Sequence, residues 1–234
     1  MKKLAFLDLE TTSLDERQGD LWEIGLIMRD LQKPAERDAE WWWQVRPDLS
    51  LADANSVQVG RYYERCRITF KDVGGGRRLA PTTLVDGSPW LKEYTGKPLA
   101  EGDFYMNDDA KGIARTIAPM LDGVTIVANN PAFDRRFLTK FLRVNGQLLT
   151  AHYRMINVRD LLIGYIEGCL SMLRDVEEAF GPEIAPYVLD WLNGAADSPA
   201  WEIVGVKQDP ATRHTALGDA RLVRDVYDAI RGGR

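Results

Sequence analysis

Three stretches of bulky apolar residues near the start of the chain predict β-strands. They cover residues 4–9, 22–28 and 40–45, where aromatic, β-branched and long aliphatic side chains dominate. The links between them are short and polar. Because short links favour the pairing of consecutive strands, we predict an antiparallel meander.

The rest of the chain alternates between helical and strand patterns. Apolar residues recur at helical spacing before and after a short apolar run at residues 124–128, which predicts a buried strand between two helices. Strands followed by alternating helices and strands are typical of an α/β fold, a mixed sheet flanked by helices. The predicted helices cover residues 108–121, residues 131–144, two or three segments between 161 and 193, and residues 215–231.

A long irregular segment interrupts this pattern at residues 71–103. It contains three consecutive glycines and three prolines. Segments of this length without regular structure are uncommon in compact domains and often bind ligands or cover a site. Since the chain has neither an internal repeat nor a low-complexity tract, we predict one domain over residues 1–234 with an insertion at 71–103.

Three consecutive tryptophans, Trp41, Trp42 and Trp43, lie in the third predicted strand. Alternation places the first and the third on one face of the sheet and the second on the other. Such side chains can stack on nucleobases, but at least one face is expected to be core, which favours packing.

The composition narrows the range of functions. The 234 residues are 45% hydrophobic and 28% charged, as for a globular protein with a sizeable core, and no apolar run is long enough to span a membrane. Asp8 and Glu10 interrupt the first apolar run before it reaches the length of a signal peptide, so we expect a cytoplasmic protein. A structural zinc site needs about four nitrogen or sulfur ligands and would require both cysteines and both histidines of the chain, so we do not expect one. A net charge of −5 disfavours a protein that coats nucleic acid, but it permits an enzyme that takes one strand end into a metal-filled pocket.

Asp8 and Glu10 stand at the end of the first predicted strand. Because they are two residues apart, their side chains point to the same face of the sheet. Two carboxylates in a low dielectric repel each other unless a cation lies between them, and hard divalent metals prefer oxygen ligands. The alternative interpretation is a polar strand end capped by Thr11 and Thr12.

Three further residues, Asp134, Asp219 and His214, are candidates for the same functional site. Asp134 lies where the strand at 124–128 gives way to a helix, and Asp219 lies in the first turns of the last helix. His214 precedes Asp219 by five residues, which places it on the loop that leads into that helix. Each residue also has an ordinary explanation: a carboxylate favoured by a helix dipole, a solvated helix position, or a turn histidine bonded to backbone.

Together these residues resemble the DEDDh family of 3′→5′ exonucleases, in particular its proofreading-subunit and RNase T-like members. The motifs Asp-x-Glu-Thr-Thr, Asn-x-x-Phe-Asp and His-x-Ala-x-x-Asp occur in the family's order. The resemblance implies a ribonuclease H-like fold and two Mg²⁺ or Mn²⁺ ions held by Asp8, Glu10, Asp134 and Asp219. It also implies that His214 is the general base, and that single-stranded DNA or RNA is hydrolysed from its 3′ end to nucleoside 5′-monophosphates.

The resemblance further implies a pocket for the 3′-terminal nucleotide. Thr11, Thr12 and Leu14 directly follow the catalytic strand and are expected to line this pocket. Glu23 matches an acidic residue of the family's second strand, near the terminal sugar. Asn130 matches the asparagine that precedes the third acidic residue.

Two other functions are compatible with the sequence: an endonuclease on the same fold, and an inactive nucleic-acid-binding module. The placement of the histidine favours an exonuclease over an endonuclease, and the presence of all five expected catalytic residues favours an enzyme over a binding module. The sequence leaves open the preference for DNA or RNA and the formation of a homodimer. No polymerase-binding segment is recognisable.

Overall fold

The fold is built around a mixed β-sheet. The computed structural model describes residues 3–33, 38–65, 69–73, 76–80, 105–106, 110–173, 175–192 and 200–232. The described strands are β1 (Lys3–Thr11), β2 (Leu21–Asp30), β3 (Ala39–Gln44), β4 (Thr69–Val73), β5 (Gly76–Ala80), β6 (Tyr105–Met106), β7 (Thr125–Ala128) and β8 (Ile156–Asn157). Six of them form one sheet in the order β6-β3-β2-β1-β7-β8, and β4 pairs with β5.

β1 occupies the middle of the sheet between an antiparallel and a parallel neighbour. It pairs antiparallel with β2, which places Asp8 opposite Gly25 and Glu10 opposite Glu23. It pairs parallel with β7, and β2 pairs antiparallel with β3, so the predicted meander is confirmed. The register shifts between Glu10 and Thr11, where regular alternation of the side chains ends.

Helices cover both faces of the sheet, as predicted. The predicted helices at residues 108–121, 131–144 and 215–231 are confirmed, with ends shifted by at most two residues. The described helices are α1 (Ala54–Val59), α2 (Tyr62–Arg65), α3 (Ala110–Met120), α4 (Pro131–Val144), α5 (Val158–Leu173), α6 (Val176–Phe180), α7 (Ala185–Leu192) and α8 (Ala216–Arg231), together with a 3₁₀ helix at Ala200–Val204.

β1 contributes to two hydrophobic cores, one on each face of the sheet. Leu7 and Leu9 pack with buried residues of α3 and α4, whereas Phe6 packs with buried residues of α8. Because successive side chains of a strand point to opposite faces, Asp8 and Glu10 continue the face of Phe6 and point toward α8. The strand therefore delivers its two carboxylates to the side on which the last helix lies.

The three consecutive tryptophans pack as the alternation predicts. Trp41 and Trp43 are both buried in the core against α3 and α4, and their ring centroids lie 6.4 Å apart with nearly parallel planes. Trp42 packs against the core on the α8 side. These side chains stabilise the sheet and do not form a stacking platform for bases.

Part of the segment at residues 71–103 is regular in the structure. β4 and β5 pair antiparallel across residues 69–73 and 76–80. The remaining residues of the predicted insertion lie outside the described part of the chain, as does Cys66, so the single-domain organisation stays a prediction. None of the described helices is long and apolar enough to cross a membrane.

Candidate active site

Three of the predicted metal ligands converge at the end of β1. Asp8, Glu10 and Asp219 each offer one carboxylate oxygen, and these oxygens all lie within 4.8 Å of one another. Asp8 and Glu10 come from β1, and Asp219 comes from the first turn of α8. Three negatively charged oxygens at this spacing are a suitable ligand set for a hard divalent cation.

Asp134, the fourth predicted ligand, lies beside this group but is not one of the three converging carboxylates. It lies in the first turn of α4 and is 4% exposed. Burial raises its pKa, and hydrogen bonds from the backbone N–H groups of Asp134 and Leu9 offset only part of this rise. Its charge in turn raises the pKa of Asp8, so it lies near the end of β1. The structure thus brings three of the four predicted acidic residues together and places the fourth beside Asp8.

Burial makes the acidic group unfavourable in its fully charged form. Desolvation raises the pKa of Asp8 well above its ordinary value, and Asp134, Asp219 and Glu10 raise it further. Burial also raises the pKa of Glu10 to about 8, of Asp134 to about 7 and of Asp219 to about 6. A bound cation would remove this repulsion, so the donor set fits a divalent metal in both chemistry and electrostatics.

His214 lies on the loop before α8, where it was predicted. Burial, and then the charges of Arg213 and Arg65, lower its pKa, which keeps the imidazole neutral near pH 7. Its backbone has a positive φ of 58°, a conformation that is uncommon for residues with a Cβ atom. The next residue, Thr215, caps α8 by accepting a hydrogen bond from the N–H of Gly218 at 3.1 Å.

Two glycines allow close packing at the start of α8: Gly25 lets the helix begin directly against β2, and Gly218 lets the preceding loop pack on its first turn. A Cβ atom on Gly25 would lie 2.2 Å from the carbonyl carbon of Ala216, and one on Gly218 would lie 2.3 Å from the carbonyl oxygen of Thr212. Neither distance is possible for a real side chain. The close contact of β2 with the start of α8 is what carries Asp219 to the end of β1.

Glu23 is fully buried and joins β2 to α8 and α2. Its Oε2 accepts a hydrogen bond from the N–H of Ala216 at 2.8 Å and also pairs with the guanidinium group of Arg65. Its Oε1 accepts a hydrogen bond from the side chain of Gln44 at 2.9 Å. Both oxygens are therefore occupied by the protein itself. Sequence reasoning did not single out Arg65 or Gln44, because no motif includes them.

The other predicted substrate residues differ in accessibility. Thr12 is fully buried, and its hydroxyl accepts a hydrogen bond from the N–H of Asp20 at 2.9 Å. Thr11 is also buried and donates to the carbonyl of Ser13 at 2.8 Å. Leu14 is 74% exposed, and Asn130, at the start of α4, is exposed as well. The two exposed side chains are the ones available to a ligand.

A cavity of about 290 Å³ lies beside the acidic group. Two of its lining residues are bonded to each other: the side-chain amide of Gln208 donates a hydrogen bond to Oδ1 of Asp219 at 2.5 Å. Nothing in the sequence marked the loop that carries Gln208, because that loop has neither a motif nor a regular pattern. The cavity is lined by Asp8, Asn129, Trp201, Gln208, Arg213, His214, Asp219, Leu222 and Val223.

Solved structures of exonuclease I resemble this protein. One discussed for its processivity has a TM-score of 0.53 at 11% identity over 99% of this chain and 41% of that chain. A product-bound structure of exonuclease I gives 0.51 at 10% identity over 99% and 44% of the two chains. The Escherichia coli enzyme in complex with a dA16 oligonucleotide gives 0.50 at 11% identity over 99% and 41%. No protein-family profile and no curated protein matches the chain.

These comparisons confirm the predicted ribonuclease H-like fold, a mixed sheet flanked by helices. The predicted resemblance to the DEDD exonucleases is matched by structural neighbours that are exonuclease I. The chain spans about two fifths of the length of those neighbours. At such low identity the similarity shows a shared fold and not a shared activity.

Proposed function

We propose that this protein is a metal-dependent 3′→5′ exonuclease that hydrolyses single-stranded DNA or RNA to nucleoside 5′-monophosphates. The observation that carries the proposal is the convergence of Asp8, Glu10 and Asp219 within 4.8 Å, with Asp134 beside them. A fold shared with exonuclease I and the order of the three motifs both support it. The cluster has no evident structural purpose, since its charges are mutually repulsive.

The proposed cofactors are two Mg²⁺ or Mn²⁺ ions held by Asp8, Glu10, Asp134 and Asp219. When bound, such ions stabilise negative charge on the phosphate and lower the pKa of water. The four carboxylates would hold the ions at the end of β1. The net charge of −5 is compatible with this function, because bound divalent ions would supply positive charge at the site.

His214 is the proposed general base. A neutral imidazole accepts a proton at one ring nitrogen, and the lowered pKa of His214 keeps that nitrogen free at neutral pH. His214 lines the same cavity as Asp8 and Asp219, which brings the proposed base next to two of the proposed metal ligands. Arg213 and Gln208 also line this cavity, and we assign them contacts with phosphate oxygens of the strand.

The proposed nucleotide pocket begins where β1 ends. Leu14 and Asn130 are exposed and can contact the terminal nucleotide directly. Thr11 and Thr12 contribute through their backbone and through the shape of the turn, since their hydroxyls are bonded within the protein. Glu23 supports the pocket from beneath, because its carboxylate is fully buried.

The test is degradation of a 5′-labelled single-stranded oligonucleotide, as DNA and as RNA, with Mg²⁺, with Mn²⁺ or with EDTA. We expect a ladder that shortens from the 3′ end, is absent in EDTA and is absent for Asp8→Ala, which excludes a contaminating nuclease. A 3′-blocked or circular substrate should resist cleavage. Internal cuts would identify an endonuclease, and binding without cleavage in either metal would identify a binding module.

The same experiment decides the sugar preference, since DNA and RNA are compared directly. The proposed partner is single-stranded nucleic acid with a free 3′ end, as exonuclease I is seen in complex with an oligonucleotide. A cytoplasmic location stays a prediction, which fractionation would test. The formation of a homodimer stays open, and sedimentation would decide it.

A further inference from the structure

Arg65, the last residue of α2, contacts three separate parts of the candidate site. One guanidinium nitrogen donates to the carbonyl of His214 and, at 2.8 Å, to the carbonyl of Gly60. The other pairs with Oε2 of Glu23. The first nitrogen also lies 3.7 Å from Oε1 of Glu10. One buried side chain thus links β1, β2 and the loop before α8.

The guanidinium group is held between protein groups and is largely shielded from solvent. Its carbon lies 5.0 Å from the ring centroid of Trp22, so one face stacks on an aromatic ring. The side chain is only 12% exposed. Three of its five N–H donors are directed at protein oxygens, those of Gly60, His214 and Glu23. Arg65 is therefore placed to hold protein groups together.

The loop that carries His214 requires such support. A positive φ is unfavourable for a residue with a Cβ atom and persists only when neighbouring contacts determine it. Two contacts do so here. Arg65 holds the carbonyl of His214, and Glu23 accepts the N–H of Ala216 on the other side of Thr215. The salt bridge between Arg65 and Glu23 connects these two contacts.

We propose that Arg65 is a positioning residue: by bridging Glu23 and the backbone carbonyl of His214, it fixes the imidazole relative to Asp8 and Asp219. This inference rests on the proposed nuclease function, in which His214 is the base. Arginine is required because its planar fork donates in several directions at once, whereas the single ammonium group of lysine cannot reach both oxygens in the same geometry.

The kinetic test compares Arg65→Gln and Arg65→Lys with the matched control Arg61→Gln. Arg61 precedes α2 and pairs with the exposed Glu64. We expect kcat to fall on the order of 10²-fold for Arg65→Gln, the usual effect of misplacing a catalytic group by about 1 Å, while KM changes little. The kcat of Arg65→Lys should lie between those of the wild type and Arg65→Gln, and the kcat of Arg61→Gln should equal that of the wild type. An unchanged kcat in Arg65→Gln overturns the proposal.

A double-variant cycle separates positioning from a general loss of structure. In a His214→Ala background, Arg65→Gln should cost no further activity, since the group that it positions is gone. An equal loss in both backgrounds overturns the proposal, because Arg65 would then act independently of the imidazole. Metal affinity measured by calorimetry should be unchanged, and a parallel loss of affinity would show that Arg65 acts through Glu10 instead.

A measurement without substrate distinguishes failure of this inference from failure of the proposed function. Amide hydrogen exchange at Ala216 should be on the order of tenfold faster in Arg65→Gln, because the loop loses one of its two anchors. If Arg65→Gln does not fold because Glu23 is left unpaired, the variant Arg65→Gln/Glu23→Gln is compared with Glu23→Gln alone, so that both proteins carry the same change at Glu23. If the variant folds and the exchange rate at Ala216 is unchanged, the inference about Arg65 is overturned. If the wild type shows no nuclease activity but exchange at Ala216 is faster in the variant, only the proposed nuclease function is refuted.

Discussion

Replacing Glu10 by glutamine should change how the stability of the metal-free protein depends on pH. Burial, and then the charge of Glu23, raise the pKa of Glu10 from an ordinary value of 4.5 to about 8. Between these values the folded protein holds a proton that the unfolded chain has released. The stability associated with that proton is fully present near pH 4.5 and is lost as the pH rises through about 8.

The magnitude follows from the number of protons. One proton held only by the folded state changes the free energy of unfolding by about 1.4 kcal/mol per pH unit. Since pH 5 and pH 7 both lie inside the interval set by Glu10, the wild type should lose about 3 kcal/mol relative to Glu10→Gln between them. The contribution of His214 to the pH dependence of stability has the opposite sign, because its pKa is lowered. Since His214 is present in both proteins, this contribution cancels in the difference.

The assay is urea unfolding in EDTA at pH 5, 6 and 7, followed through the fluorescence of the seven tryptophans. Glu64→Gln is the control, because Glu64 is an exposed carboxylate paired with Arg61. The free energy of unfolding of Glu64→Gln should change with pH in the same way as that of the wild type. The reasoning would be refuted if the difference in the free energy of unfolding between the wild type and Glu10→Gln stayed constant from pH 5 to pH 7. Glu10 would then be ionised in the folded protein.

Three further predictions follow from the geometry of the site. Asp8→Ala should abolish metal binding in calorimetry and nuclease activity together, yet keep or raise the unfolding midpoint, because a buried repulsion is removed. His214→Ala should bind metal normally but lose on the order of 10²–10⁴ in rate, and an equal loss of metal affinity would contradict its role as base. Gly25→Ala should destabilise the protein by about 3 kcal/mol in urea, because its Cβ would overlap the backbone of Ala216. The control Gly164→Ala, in the open interior of α5, should instead stabilise it by about 0.5–1 kcal/mol.

Local periodicity was sufficient to predict the elements that carry the site. α4 begins at Pro131, where proline is favoured in the first turn, and its apolar residues follow one helical face. The alternation in β1 correctly placed Asp8 and Glu10 together, because the side-chain period of a strand depends only on local geometry. The motif around Asp219 likewise begins a helix with a threonine cap.

Long-range partners could not be predicted in this way. Arg65 contacts the carbonyl of a residue 149 positions away, and nothing in its neighbourhood distinguishes it from Arg61. Gln208 lies in a loop without periodicity and reaches Asp219 only because the fold brings the loop across the end of β1. The burial of Thr12 follows the shift in register after Glu10, which a strict alternation does not anticipate.

The contact between Glu23 and the N–H of Ala216 spans 193 positions of the chain, so the site joins an early strand to a late helix. During synthesis the ribosome releases β1 and β2 long before α8. A nascent chain that has not reached residue 214 lacks both His214 and Asp219, whatever the state of its sheet. Under the proposed function, the growing polypeptide therefore cannot degrade the nucleic acids that surround it. Under that function, cleavage would begin only after translation has delivered α8, so the order of synthesis would itself delay the activity.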